Sequence, residues 1–108
     1  MEIKMETKDQ VTLVVVKGEI NISTSPELKK SFEKLTTNKV IINMANVGYI
    51  DSSGLATLVE LLKRVKTKGG NLGLSQVSEK VKSLFEITKL DKLFSIHPSD
   101  EVALSRIK

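Results

Sequence analysis

Two adjacent serines behind an aspartate, Asp51-Ser52-Ser53-Gly54, are the residues of this chain best placed to do chemistry. Tyr49-Ile50 leads in from an apolar stretch and an apolar helical pattern begins at Leu55, so both hydroxyls fall at a helix N-terminus. The first N–H groups of a helix lack partners and its macrodipole is positive there, which favours an anion such as a phosphoryl group on a serine. Asp and Ser are also preferred N-caps, each contributing about 0.5 to 2 kcal/mol. By itself, the quartet reads more readily as a helix cap than as a modification site.

No other grouping competes with it. His97, the single histidine, sits beside Pro98 and reads as a surface-loop residue. The carboxylates Glu19, Asp51 and Glu60 show no spacing that specifies acid/base catalysis or a metal site. Phosphate-cradling glycine loops are absent, and Gly69-Gly70 with Gly73 reads as a helix stop followed by a strand entry. Without cysteine there is no disulfide, thiolate nucleophile or cysteine metal site. The expectation is a non-enzyme with no metal and no cofactor.

A chain of 108 residues fits one domain spanning residues 1–108, and 40% hydrophobic with 28% charged residues is ordinary for a globular protein. The net charge of +4 comes from the second half: Met1 to Gly54 carries seven basic and seven acidic residues, Leu55 to Lys108 ten and six. Lys63, Arg64, Lys66 and Lys68 read as a solvated helix face. Tyr49, Phe32, Phe85 and Phe94 are scattered instead of interleaved with a basic stripe, which argues against nucleic acid. Apolar runs such as Leu13 to Val16 are far shorter than the ~20 residues of a membrane span, and Met1-Glu2 does not open a leader, so a cytoplasmic chain is expected.

The elements that must position the serines follow from periodicity. Ile3, Met5 and Thr7 alternate with charged residues, and Asp9-Gln10 turns the chain into Val11 to Lys17, giving a hairpin whose second strand ends at Gly18-Glu19-Ile20-Asn21. Ser23, Thr24 or Ser25 before Pro26 starts a helix with Leu28, Phe32 and Leu35 on one face. Val40 to Met44 reads as a central strand covered on both faces. A long helix from about Ser53 to Lys68 carries Leu55, Leu58, Val59, Leu62 and Val65 as a core face and stops at Gly69-Gly70. Asn71 to Leu74 reads as a strand, Ser78 caps a helix with Val81, Leu84, Phe85 and Ile87, Leu93 to Ile96 pairs as a further strand, and Ser99 to Glu101 opens a helix carrying Val102, Leu104 and Ile107. This order implies an α/β domain, a mixed sheet of four to five strands with about four helices.

Taken together, Gly18-Glu19-Ile20-Asn21, the strand Val40 to Met44, Val47 to Leu55, the Gly69-Gly70 stop and the Val81-x-x-Leu84-Phe85 helix resemble the STAS domain of bacterial anti-sigma-factor antagonists over nearly the whole chain. The resemblance implies a partner-switching protein. Unphosphorylated, it binds an anti-sigma factor that is also a serine kinase and so releases the sigma factor; phosphorylation reverses the binding and a serine phosphatase restores it. The phosphoacceptor maps onto Ser52, ahead of Ser53, and the partner-binding residues onto Asn21, Ile22, Ser23, Tyr49, Asp51, Ser52, Ser53, Gly54 and Leu55. Asn21 departs from the pattern, which often has aspartate there. Two other readings fit the same resemblance: a STAS module that scaffolds a signalling or transporter-associated complex without a serine switch, and a nucleotide-binding STAS domain.

Overall fold

A five-stranded mixed sheet in the order β1-β2-β3-β4-β5 organises the molecule, whose computed structural model describes residues 1–107. Strands β1 (Glu2–Lys8) and β2 (Val11–Lys17) form the expected antiparallel hairpin. Asp9 and Gln10 both take positive φ, 52° and 68°, the backbone of a two-residue turn whose twist matches that of the flanking strands. β3 (Lys39–Asn46), β4 (Asn71–Ser75) and β5 (Ser95–His97) follow in parallel, so β3 is the central strand.

Helices cover the two faces unequally. Val14, Val16, Val40, Ile42, Met44, Leu72 and Leu74 face the main core, which is closed by α1 (Ser25–Phe32), α2 (Ser52–Thr67) and α3 (Glu79–Ile87) through Leu28, Phe32, Leu58, Leu61, Leu62, Val81 and Phe85. The other face carries a smaller cluster, Val11 and Ile41 under Ala103 and Ile107 of α4 (Asp100–Ile107). The alternation Val40, Ile41, Ile42 thus divides between two cores, as period two requires.

Several local expectations are corrected. β2 ends at Lys17, and Ile20 instead makes an isolated parallel bridge to Ile50. α1 ends at Phe32, so Leu35 packs on the core from beyond the helix. Ile87 is 78% exposed because it is the last residue of α3, past the core-facing Val81 and Phe85. The fifth strand starts two residues later than expected, after a 3-10 turn at Leu90–Lys92, and it takes in His97, which is therefore a half-buried strand residue. Leu93 is left half exposed.

Candidate functional site

The Ile20–Ile50 bridge builds the site. Ile20 N–H donates to the Tyr49 carbonyl at 3.1 Å and Asp51 N–H donates to the Ile20 carbonyl at 3.2 Å, which clamps the segment after β2 to the segment after β3. Both isoleucine side chains are buried, so the clamp is anchored from beneath and the residues that follow each of them surface together. Asp51 then serves both segments. Its Oδ1 accepts from Gly54 N–H at 2.7 Å and caps α2, while its Oδ2 accepts from Ile22 N–H at 3.2 Å.

Ser52 is the first residue of α2 and is exposed; among the described residues its hydroxyl has no hydrogen-bond partner. The N–H groups of Ser52 and Ser53 occupy positions with no intrahelical acceptor, and the Asp51 cap engages Gly54 instead. Ser53 is half-buried, and its carbonyl accepts from the Thr57 hydroxyl at 3.0 Å. Between the two serines, Ser52 is the one presented to solvent.

The loop before α1 is held by its own side chains. Asn21 Oδ1 accepts from Ser23 N–H at 2.9 Å and Thr24 N–H at 3.0 Å, and the Thr24 hydroxyl donates to the Glu19 carbonyl at 2.7 Å. Asn21 therefore spends its carbonyl oxygen on the loop, a task a carboxylate oxygen performs equally well. Thr24 is the N-cap of α1 without a side-chain capping bond, and Pro26 occupies the first turn. Ser23 is exposed and Ile22 is 71% exposed, a large apolar side chain set on a rigid loop.

Of the residues assigned from sequence, Ile22, Ser23, Tyr49 and Ser52 lie on the surface, Asn21, Asp51 and Ser53 are half-buried, and Gly54 and Leu55 are buried. Leu55 belongs to the main core, so it supports the surface from below. Tyr49 carries Lys80 of α3 over its ring at 5.8 Å, extending the exposed patch towards that helix. Ile22 and Ser53 also line a shallow groove of about 350 Å³ between α1 and α2, walled by Pro26, Lys29, Ala56 and Glu60, with a Lys29–Glu60 ion pair of 3.0 Å across it. Ala56, Thr57 and Glu60, which also line it, follow Ser53 at i+3, i+4 and i+7 and so share its helix face, the one signal of this groove in the sequence.

A mixed five-stranded sheet with four helices, and a helix start clamped beside the loop before α1, defines a small α/β domain. The STAS domain family model matches residues 2–103, and the chain belongs to that family. It is 36% identical over 105 residues to the anti-sigma-B factor antagonist of Staphylococcus epidermidis, covering 94% of this chain and 97% of that one. The Staphylococcus aureus protein of the same name is 33% identical over the same length and shares. Among solved structures, a candidate anti-sigma factor antagonist from Thermotoga maritima superposes with a TM-score of 0.92 at 27% identity, covering 97% of this chain and 93% of that one. No helix among the described residues is long and apolar enough to cross a membrane.

Proposed function

We propose that this chain is a single-domain cytoplasmic anti-sigma-factor antagonist that switches partners through Ser52. Unphosphorylated, it docks an anti-sigma factor serine kinase over Ile22, Tyr49, Ser52 and the α1–α2 groove, and so frees the sigma factor. The kinase transfers a phosphoryl group to the Ser52 hydroxyl, the complex separates, and a serine phosphatase resets the cycle. The ATP chemistry belongs to the kinase. The observation that carries this reading is the exposed, unengaged Ser52 hydroxyl at the start of α2, on a junction fixed by the Asp51 bridge to Ile22.

The energetics favour a local switch. A phosphoserine brings about −1.5 to −2 charges at neutral pH. At the first helical position the dipole and free N–H groups favour that charge by about 0.3 to 1 kcal/mol, and the neighbouring Asp51 carboxylate opposes it. Ser52 is exposed, so solvent and salt screen both effects and the fold need not change. A docked protein surface, by contrast, must bury the new charge unpaired, which costs several kcal/mol and so lowers affinity by orders of magnitude.

Incubation with the cognate kinase and ATP, read by intact-mass and fragment mass spectrometry, tests the assignment. Ser52→Ala is expected to block phosphorylation while retaining kinase binding, and Ser52→Asp to weaken binding. A Ser52→Ala protein phosphorylated to the wild-type extent overturns the site.

A further inference from the structure

β1 is an edge strand whose outer side is unpaired, and its sequence is complementary to itself. We propose that two copies of this chain associate by antiparallel pairing of β1 with β1 across a two-fold axis centred on Met5, joining the two sheets into one. This inference is independent of the Ser52 switch, since it uses none of the junction residues.

The turn fixes which backbone groups are free. A two-residue hairpin loop with positive φ at Asp9 and Gln10 closes on a hydrogen-bonded pair, here Lys8 with Val11. Alternation along the ladder then directs the N–H and C=O groups of Glu2, Lys4, Glu6 and Lys8 to β2 and those of Ile3, Met5 and Thr7 outward. Pairing these outward groups with a second copy about Met5 sets Met5 against Met5 and Ile3 against Thr7, giving about six backbone hydrogen bonds, two for each of three pairs.

Side-chain charge selects that register. Glu2, Lys4, Glu6 and Lys8 share one face of the sheet and are all exposed. In the register centred on Met5, Glu2 faces Lys8 and Lys4 faces Glu6, so all four cross-strand pairs on that face are opposite in sign. They occupy the non-hydrogen-bonded positions, where side chains approach most closely. A slip of two residues in one direction sets Lys4 against Lys4 and Glu2 against Glu6; a slip in the other sets Glu6 against Glu6 and Lys4 against Lys8. Both are repulsive. Lysines are a common device for keeping edge strands from pairing, whereas the alternation of Glu and Lys here leaves one long register attractive. On the opposite face Ile3 and Met5 are half-buried against the core, and pairing covers the apolar surface they leave exposed.

Sedimentation equilibrium of the full chain at low salt tests the proposal. The wild type is expected to move from the 11.9 kDa monomer towards twice that mass as concentration rises. Lys4→Glu alone and Glu6→Lys alone each turn two attractive pairs repulsive and are expected to weaken association at least tenfold. An equimolar mixture of the two variants regains association, as does the double variant Lys4→Glu/Glu6→Lys, because each restores opposite signs at every pair. These positions are exposed, so circular dichroism should show the variants folded. A wild type that stays monomeric at millimolar concentration, single variants that associate like wild type, or a mixture that fails to regain association each overturns the pairing.

Discussion

Gly54 lies so close to the Ile20 carbonyl that a Cβ on it would fall 2.2 Å from that oxygen and 2.8 Å from the Ile50 side chain. The glycine is required by space and not by an unusual φ, since its backbone is helical. An alanine inside a helix ordinarily stabilises by about 1 kcal/mol relative to glycine, so the sign of the substitution is diagnostic. Gly54→Ala is expected to destabilise by about 2 kcal/mol or more, because the nearest obstructing atom is the Ile20 backbone oxygen, itself held by the Asp51 N–H. Urea unfolding with the midpoint and slope fitted together measures it.

Asp51 joins two segments whose sequence separation gives no hint of contact, Ile22 and Gly54. Asp51→Ala removes the α2 cap and the only side-chain link between the junction loops among the described residues, at an expected cost of about 1 to 3 kcal/mol. Asp51→Asn retains one acceptor oxygen and should lose about half as much. Amide hydrogen exchange at Ile22 and Gly54 should accelerate in both variants, more in the alanine form.

Ile20 and Ile22 stand two residues apart with opposite fates, 0% and 71% exposed. Ile20→Ala is expected to cost about 2 to 5 kcal/mol of stability through a core cavity. Ile22→Ala should leave stability within about 0.5 kcal/mol of wild type and weaken docking of the anti-sigma partner by about 1 to 3 kcal/mol. Thermal unfolding and titration calorimetry, run on both variants, separate the two effects.

Much of this arrangement is legible in the chain because local pattern and global fold agree. Asp9-Gln10 between alternating strands, Asp51 before an apolar helical period, Ser78 before Val81 and the Gly69-Gly70 stop each act over a few residues, and each element forms where its signal stands. Long-range polar pairing is not legible. The Ile20–Ile50 bridge lies outside both regular strands, and the fixing of the α1 entry by Asn21 and Thr24 depends on a loop conformation that residue types do not specify. The family resemblance pointed to Ser52, but the Ile20–Ile50 bridge and the bond from Ile22 N–H to the Asp51 carboxylate explain why an apolar side chain and a serine from different segments share one surface.

The cluster on the far face of the sheet, Asn43, Ser75 and Asp100, was invisible for the same reason. Asp100, at the start of α4, accepts from Asn43 Nδ2 at 3.0 Å and from the Ser75 hydroxyl at 2.5 Å, while Asn43 Oδ1 accepts from Ala45 N–H. Asn43 and Ser75 are buried in β3 and β4, so the carboxylate pins α4 to the sheet and satisfies both donors. Asp100→Ala strands a hydroxyl and an amide away from water, at an expected cost of about 2 to 4 kcal/mol. Ser75→Ala removes one of those donors, so the double variant should cost less than the sum of the two single ones. α4 and the serine junction lie on opposite faces of the sheet, and partner affinity measured well below the unfolding temperature should therefore stay within about twofold of wild type.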